Sequence, residues 1–465
     1  MQRKALNDLL SWKDRPTRRP LILRGARQVG KSTLARMLAE HAFDGLAEIN
    51  LELSPDAADL FESMDPKVIL PLLEIEAGCR ILPGKTLLFL DEIQSAPKVL
   101  PTLRYFHERL PDLHVICAGS LLDFALAGAS YSMPVGRVEY LFLGPMSFEE
   151  FLAALGEEPR LEYMRDWSPG DEIPKVIHQS IMSRVRQFLS VGGMPGVIDA
   201  WVKTGSFVEC DRVQRSILQT YEDDFSKYRE RVNTRLLKKT YRAIPGLVGR
   251  RFKYAHVDRD ERSKALSDAL DMLVMARVAS RVPHSAGNGI PLGAELNERK
   301  FKVLFLDVGL MTTALGVAPF LQQEDQGIVN EGAIAEQFVG QHLLYPPLSY
   351  MEPELTFWAR DARSSSAEVD YLLPLPGAIT PVEVKAGKTG ALRSMHAFLE
   401  EKGRVLGLRF NSEPPYLFRG TYARPKSTSA PFHLLSLPLY MVDRARCLAS
   451  TAMAEAGGAR PQQEG

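Results

Sequence analysis

The chain has 465 residues, more than the roughly 250 to 300 that one hydrophobic core usually organises, so two or three domains are expected. Its residues are 45% hydrophobic and 25% charged, which is typical of a soluble globular protein and excludes a disordered chain. Lysine plus arginine and aspartate plus glutamate both number 57, so no overall charge excess draws the chain to nucleic acid or an acidic membrane.

The cysteines and the lack of long apolar runs indicate the cellular compartment of the protein. The four cysteines form neither a CxxC pair nor a zinc-ligand pattern with the nine histidines, which favours reduced thiols. Polar residues interrupt the N-terminus before it reaches signal-peptide length, and no run approaches the roughly 18 apolar residues of a membrane span. We therefore predict a cytoplasmic protein without a membrane span.

The first third of the chain alternates short apolar runs with helical patterns, as in a mainly parallel sheet. Strands are predicted at residues 20–23, 86–90 and 114–118, each followed by a polar or glycine turn. A parallel sheet is covered on both faces, which is why its strands are apolar throughout. This pattern predicts an α/β domain over residues 1–145.

A phosphate-binding motif follows the first of these strands and begins a helix. The motif fits GxxxxGK[ST], whose glycines let backbone amides turn toward phosphates at the positive end of a helix. Lys31 would neutralise the β- and γ-phosphate oxygens, and the Ser32 hydroxyl would bind Mg²⁺. The predicted nucleotide-binding residues are Gly25, Ala26, Arg27, Gln28, Val29, Gly30, Lys31, Ser32 and Thr33. The alternative is a glycine turn that binds no phosphate.

The second predicted strand ends in two carboxylates, Asp91 and Glu92. This arrangement is typical of a Walker B strand, in which Asp91 would hold Mg²⁺ and Glu92 would orient or activate the attacking water. The alternative is a solvated strand end. Together with the preceding motif, the pair predicts ATP and Mg²⁺ as ligands.

Two further residues are candidate members of the nucleotide site. Ser120 ends the third predicted strand and could sense the γ-phosphate, although a serine after a glycine is also typical of a turn. Arg137 could be an arginine finger that acts within the chain or on a neighbouring subunit. A solvated arginine explains it as well.

The middle of the chain reads as helical. From residue 147 to about residue 197 apolar residues recur at helical spacing until a Gly-Gly-Met-Pro break, and residues 200–315 continue as mostly amphipathic helix. We predict a helical connector and then a small helical, winged-helix-like domain. Basic residues in this region could contact a phosphate backbone, but a charged helix face explains them equally well.

The last part of the chain is predicted to contain a helix followed by strands. A helix is predicted over residues 331–344, and strands near residues 356–359, 368–373 and 380–384. This order predicts a second α/β unit. The small and polar residues after residue 448 predict a frayed tail.

The sequence resembles bacterial and archaeal AAA-type ATPases that join a P-loop domain to a C-terminal half of unknown function. The resemblance spans most of the chain and is carried by RGARQVGKST, LLFLDEIQ, the AGS strand end, GR followed by LFLGPMSFEEFL, VGGMP, YEDDFSKY, KVLFLDVGL, EVDYLL and VEVK. It implies ATP binding, hydrolysis and a winged-helix-like central segment.

Four residues of the C-terminal part look like the E…D…ExK set of PD-(D/E)xK nucleases, a fold to which this family's C-terminal domain is similar. They are Glu336, Asp370, Glu383 and Lys385. Strand alternation puts Glu383 and Lys385 on one face, where Asp370 could meet them from the adjoining strand. Neighbouring carboxylates favour a divalent cation between them, and Lys385 would then position or deprotonate a water. The alternative is an inactive scaffold.

We therefore predict an α/β fold class with five segments: a P-loop AAA-type domain (1–145), a helical connector (146–200), a winged-helix-like domain (201–320), a restriction-endonuclease-like domain (321–448) and a disordered tail (449–465). The predicted function is Mg²⁺-dependent ATP hydrolysis coupled to a nuclease-like domain with DNA or a protein as partner. The alternatives are a nucleotide-regulated switch with an inactive nuclease fold, and an ATP-controlled metal-dependent nuclease. The oligomeric state is left open.

Overall fold

The computed structural model describes residues 1–120, 136–228, 232–322, 331–362, 365–385, 392–424 and 427–456. The chain divides into two compact units. The first contains Met1–Pro145, Met272–Val278 and Tyr345–Pro353, and the second contains the remaining residues.

The first unit is built on a parallel sheet. Its strands are β1 (Leu21–Arg24), β2 (Gly45–Asn50), β3 (Thr86–Asp91), β4 (His114–Gly119) and β5 (Glu139–Phe142). They lie in the order β2-β3-β4-β1-β5, and every neighbouring pair is parallel. Every residue of β3 and β4 is buried, as expected of central strands covered on both faces. The three strands predicted in this region are confirmed.

Helices cover this sheet. They are α1 (Ala5–Asp14), α2 (Lys31–Ala42), α3 (Pro66–Ala77) and α4 (Leu103–Arg109). The core on one side combines strand residues such as Leu88, Leu90 and Val115 with Ile69 and Phe106 from the helices.

The two later segments of the first unit contribute specific contacts. The ring of Tyr345 packs so closely on Gly144 that a Cβ there would lie 2.4 Å from a ring carbon. The Ser349 amide donates a hydrogen bond to the Asp8 carboxylate at 2.9 Å, and the Ser349 carbonyl accepts one from the Phe142 amide at 2.7 Å. The first unit is therefore completed by residues from the second half of the sequence.

The rest of the chain begins with helices and ends with a sheet that has helices among its strands. The helices are α5 (Phe148–Ala154), α6 (Glu158–Asp166), α7 (Lys175–Val191), α8 (Pro195–Thr204), α9 (Phe207–Asp224), α10 (Thr234–Ala243), α11 (Ser263–Met275), α12 (Val308–Ala314), α13 (Glu331–Leu344), α14 (Arg393–Lys402) and α15 (Ala445–Ala456). Helix α13 has the predicted bounds.

The sheet of the second unit is mixed. Its strands are β6 (Ala279–Ser285), β7 (Leu296–Phe305), β8 (Thr356–Ala362), β9 (Ser365–Leu375), β10 (Ala378–Val384), β11 (Leu406–Asn411), β12 (Tyr416–Arg424) and β13 (Ser427–Pro438). Their order is β12-β13-β11-β10-β9-β8-β6-β7. The β10–β11, β11–β13 and β6–β8 pairs are parallel, and the other pairs are antiparallel.

Several predicted boundaries differ from the structure. The prediction of mostly helix over residues 200–315 is wrong for β6 and β7, because these two segments pair with each other as antiparallel strands and bury residues on both faces of the sheet, including Val282 and Val303. Their sheet crosses the boundary predicted at residue 320, so most of the connector, middle and C-terminal segments belongs to one compact unit, while residues 272–278 and 345–353 belong to the first. Residues 449–456 of the predicted tail are helical, because α15 continues to Ala456, and residues 457–465 lie outside the described residues.

A close backbone contact joins α7 to the start of α12. The Asp307 carboxylate accepts hydrogen bonds from the amides of Gly193 at 2.6 Å and Leu310 at 3.0 Å. A Cβ on Gly192, whose φ is 75°, would lie 2.1 Å from the Asp307 carboxylate, and one on Gly309 would lie 2.5 Å from the Gly192 nitrogen. The VGGMP and LDVGL sequences are thus two sides of one structural junction.

All four cysteines are free thiols, as predicted. Among the described residues, none of the helices has both the length and the apolar character needed to cross a lipid bilayer.

Candidate functional site

The phosphate-binding motif forms the turn between β1 and α2. Gln28 and Gly30 have φ values of 62° and 95°, so the turn bends through the left-handed region that glycine adopts without strain. A Cβ on Gly25 would lie 2.2 Å from the Leu143 carbonyl oxygen, so this position admits only glycine. The glycines therefore let the loop turn tightly, and Gly25 lets it pack against the backbone at Leu143 of the same chain.

The Lys31 side chain lies inside this turn. It is buried, and its ammonium group donates hydrogen bonds to the carbonyls of Gly25 at 3.0 Å and Ala26 at 2.7 Å. Burial lowers the pKa of Lys31 to about 8, against the opposing effect of the Glu92 and Asp91 carboxylates. A phosphate group bound beside Lys31 would add negative charge and so favour the charged form of this buried lysine.

The Walker B residues lie directly beside the start of α2. The Ser32 hydroxyl donates a hydrogen bond to the Asp91 carboxylate at 2.7 Å, and the Glu92 amide donates one to its other oxygen at 3.0 Å. Burial raises the pKa of Asp91, although both hydrogen bonds act to lower it. Glu92 has a φ of 51°, and its carboxylate accepts a hydrogen bond from the Gln94 side chain. The two residues predicted as magnesium ligands are thus in contact.

Ser120 follows the end of β4, the strand between β1 and β3. Its hydroxyl is buried and has no hydrogen-bond partner in the part of the chain that the structure describes. A buried hydroxyl without a partner costs free energy unless a ligand or water satisfies it. This placement fits the predicted role of Ser120 at the γ-phosphate.

Arg137 lies on the surface of the same unit. Its guanidinium forms an ion pair with Glu108 on α4 at 2.9 Å, and Arg104 also pairs with Glu108 at 3.0 Å. The structure therefore gives Arg137 a partner other than the phosphate-binding turn.

Arg277 was not predicted. Burial is the main cause of the lowered pKa of Lys31, and the positive charges of Arg27 and Arg277 add to that lowering. The Arg277 guanidinium lies over the Phe142 ring at 5.0 Å and pairs with Glu352 at 3.4 Å. Sequence reasoning missed it because it belongs to no motif and lies far along the chain from the turn.

These observations test whether the site fits Mg²⁺ and ATP. Magnesium prefers oxygen ligands, which Ser32 and Asp91 supply side by side. The phosphates require amides at a helix N-terminus, a lysine and polar groups that are free to bind, which the turn, Lys31 and the Ser120 hydroxyl provide. The residues present fit both groups.

The residues predicted as a nuclease-like site lie together in the second unit, with two additions. Lys302 on β7 is 2% exposed, and its ammonium nitrogen lies 2.9 Å from Glu336 on α13 and 3.2 Å from Asp370 on β9. It also lies 3.0 Å from Glu368, which was not predicted either. The only sequence signal for Lys302 was a lysine within the apolar run FKVLFL.

The other predicted members complete this carboxylate cluster. Glu383 on β10 pairs with Lys385 at 2.8 Å, and the Val384 amide donates a hydrogen bond to Asp370 at 2.9 Å. Burial raises the pKa of Glu383 and of Glu336, the latter against the lowering effect of Lys302. Within the described ranges, no three His, Cys, Asp or Glu side chains are grouped so that they could hold a metal ion.

Three segments of the chain match known protein families. Residues 17–152 match an AAA domain, residues 182–320 match a domain of unknown function (DUF8612), and residues 331–440 match a second domain of unknown function (DUF4143). No curated protein matches the chain.

Several solved structures are similar at low sequence identity. The Thermotoga maritima RuvB Holliday junction branch migration motor is 18% identical and matches over 64% of this chain and 91% of its own, with a TM-score of 0.27. The Aeropyrum pernix ORC2 protein is 15% identical over 68% of this chain and 91% of its own, with a TM-score of 0.21. C. elegans PCH-2 is 16% identical over 44% of this chain and 63% of its own, with a TM-score of 0.26.

The family match over residues 17–152 coincides with the all-parallel sheet and with the turn that carries Lys31. Residues 17–152 of this chain are therefore similar to an AAA domain and carry a P-loop turn on an all-parallel sheet.

Proposed function

We propose that the first unit binds Mg²⁺–ATP at the turn between β1 and α2 and hydrolyses it to ADP and phosphate. The observation that supports this most directly is the 2.7 Å contact between the Ser32 hydroxyl and the Asp91 carboxylate. It joins the start of α2 to the end of β3, as a magnesium site shared by Walker A and Walker B residues requires.

Each residue has a role that its position supports. The turn amides and Lys31 would bind the β- and γ-phosphates, and Ser32 and Asp91 would hold the cation, which neutralises phosphate charge when bound. Glu92 would accept a proton from the attacking water as the bond from the γ-phosphorus to ADP breaks. The Ser120 hydroxyl would donate a hydrogen bond to the γ-phosphate.

The proposal is tested by phosphate release from the purified full chain. Lys31→Ala should abolish Mg²⁺-dependent release, and Glu92→Gln should abolish release while ATP still binds, because the phosphate contacts remain. Phosphate release by Lys31→Ala at the wild-type rate would exclude this site as the source.

A nucleotide-regulated switch is the second candidate, and the hydrogen bond from Gln94 to Glu92 favours it, because that bond occupies the proposed base. If the wild type binds Mg²⁺–ATP but releases no phosphate under any partner condition, the switch is the better description. Gln94→Ala then decides whether this contact suppresses turnover, since phosphate release should rise when it is removed.

Arg137 remains a proposed arginine finger, within the chain or toward a neighbouring subunit. Arg104 provides a matched control, because it pairs with the same Glu108 on the same surface. If Arg137 contributes to hydrolysis, Arg137→Ala lowers kcat by roughly 1000-fold or more, whereas Arg104→Ala leaves it unchanged. Equal effects of the two substitutions would assign Arg137 to the surface ion pair alone.

We further propose that nucleotide turnover gates the second unit and that DNA or a protein is its partner. The basic side chains of α10 and the following segment are the residues that support a nucleic-acid contact; they are Arg235, Lys238, Lys239, Arg242, Arg250, Arg251 and Lys253. Three of them form ion pairs: Lys239 with Asp258, Arg242 with Glu222 and Arg251 with Glu368. ATP turnover measured with and without DNA tests the proposal, and stimulation that falls with added salt is the expected result.

A further inference from the structure

The centre of the carboxylate cluster is occupied by a side chain of the protein itself. The Lys302 ammonium nitrogen lies 2.9 Å from Glu336, 3.0 Å from Glu368 and 3.2 Å from Asp370. An ammonium group has three N–H donors, and three carboxylates surround it. Its donors are therefore matched by acceptors from α13 and β9.

A divalent cation at the same place would need the same oxygen atoms. Mg²⁺ and Ca²⁺ bind carboxylate oxygens at about 2.0 to 2.6 Å, shorter than any of the three distances to Lys302. A cation and the ammonium group would also repel each other within a few ångströms. The cluster cannot hold both.

Three further oxygens of the cluster are also in use. The second oxygen of Asp370 accepts from the Val384 amide, and that of Glu368 pairs with Arg251 at 2.8 Å. Glu383 pairs with Lys385. Four carboxylates thus face three basic side chains, so the charge is nearly balanced without a metal ion.

Burial makes this balance necessary. Lys302 lies on β7 between Phe301 and Val303, which are both buried. Its ammonium nitrogen lies 5.6 Å from the centre of the Phe357 ring on β8. A charge in such surroundings persists only when opposite charges compensate it. The carboxylates raise the pKa of Lys302 above its ordinary value despite its burial, so it stays charged at neutral pH.

We propose that the Lys302 ammonium takes the place of the divalent cation that the E…D…ExK pattern implies, so that this cluster binds no metal and cleaves no nucleic acid. The cluster then serves as an internal ion-pair network that joins β7, α13 and β9. This inference is independent of the proposed ATPase, because it concerns a different unit and different residues.

The test is Mn²⁺ binding by the full chain, measured by the paramagnetic resonance of free Mn²⁺. All proteins carry Asp91→Asn, which removes the proposed magnesium site of the first unit. With Lys302 present, Mn²⁺ binding should be the same with and without the added substitution Asp370→Asn. Binding that Asp370→Asn abolishes would overturn the proposal, as would Mn²⁺-dependent cleavage of plasmid or single-stranded nucleic acid that Asp370→Asn abolishes.

The second arm removes the lysine. Lys302→Met leaves Glu336, Glu368 and Asp370 without their cation, so the protein should gain about one Mn²⁺ site per chain that Asp370→Asn removes. Lys302→Met that folds but gains no such site would contradict the proposal. If Lys302→Met does not fold, the arm with Lys302 present still decides the question.

Discussion

At the scale of single residues, the most informative group is the Lys31 ammonium. Its burial lowers its pKa to about 8, and the phosphates of a nucleotide would raise that pKa again by supplying negative charge. At a pH above the pKa of Lys31, nucleotide binding must therefore be accompanied by uptake of a proton. At a pH well below that pKa, the lysine is already charged before the nucleotide binds.

Calorimetry can measure this proton. At about pH 8.5 with Mg²⁺ present, ATP binding should take up roughly 0.7 proton, and at about pH 7 close to none from this group. Titrations in two buffers with different ionisation enthalpies give the number directly. Equal uptake at both pH values would show that Lys31 does not meet the phosphates.

Ser32 allows a separate test of the cation site. Ser32→Ala removes the hydroxyl that contacts Asp91, so the affinity for ATP in Mg²⁺ should fall by at least about tenfold, while affinity in the presence of a chelator changes little. Thermal shifts produced by ATP with and without Mg²⁺ measure both. A similar loss in the two conditions would mean that Ser32 acts on the phosphates or on folding.

The sequence was sufficient to predict the residues of the phosphate-binding turn and of the following Walker B strand, because each group lies within one short segment of the chain. Nine successive residues carry the turn, and Asp91 and Glu92 end one apolar strand, so spacing alone predicted both. Lys302 and Arg277 lacked this property, because each acts on residues far away in the chain and belongs to no short pattern. Lys302 changed the interpretation of the C-terminal pattern, since its ammonium occupies the position that the predicted metal required.

At the scale of secondary-structure elements, the sheet order determines which strand end meets the phosphate-binding turn. Strand β4 lies between β1 and β3, and this places Ser120 between the two motifs with its hydroxyl buried. Ser120→Ala should lower kcat by about 100-fold with little change in ATP affinity. Ser95, which is exposed, provides the control, because Ser95→Ala should leave both parameters unchanged.

The junction between α7 and α12 gives a stability prediction. Gly192→Ala places a Cβ against the Asp307 carboxylate at a φ of 75°, whereas Gly205→Ala has a φ of 61° but no atom within 4 Å of the added carbon. Gly205→Ala bears the left-handed strain of about 1 to 2 kcal/mol. Gly192, with a ψ of −172°, lies in a region that essentially only glycine adopts, so Gly192→Ala bears at least comparable backbone strain and adds a clash costing roughly 1 to 3 kcal/mol more. Denaturant unfolding of the two variants measures the difference, and equal losses would show that the junction relaxes freely.

Helices and strands were predictable from the sequence where a single spacing of apolar residues dominated a segment. The buried strands of the first sheet and helix α13 appeared at their predicted positions, because continuous apolar runs and a long helical pattern admit few alternatives. The sequence pattern predicts helix at strands β6 and β7, because they carry charged side chains and are stabilised by pairing with each other. Strand pairing of this kind is a long-range property that a short window of sequence does not contain.

At the scale of the whole molecule, the first unit is not a continuous piece of chain. Residues 1–145 alone would lack Tyr345, which covers Gly144, and Ser349, whose backbone bonds to Phe142. They would also lack Arg277 over the Phe142 ring. The predicted boundary at residue 145 therefore omits part of the domain.

A fragment of residues 1–145 should consequently unfold at a lower temperature than the first unit of the full chain and bind ATP more weakly. Within the full chain, Tyr345→Ala should reproduce part of this loss, while Tyr350→Ala should not, because Tyr350 is 61% exposed. Circular dichroism during heating, with and without Mg²⁺–ATP, measures the effect. A fragment as stable as the full chain would show that the later segments are dispensable.

The interleaving of the two units also has a consequence during protein synthesis. An N-terminal domain usually folds as soon as it leaves the ribosome, but this one lacks its last segment until Pro353 has been made. At about 5 to 20 residues per second, the 208 residues from 146 to 353 (353 − 145) take roughly 10 to 40 s to translate. During that interval the nascent first unit lacks the segments that cover Gly144 and Phe142.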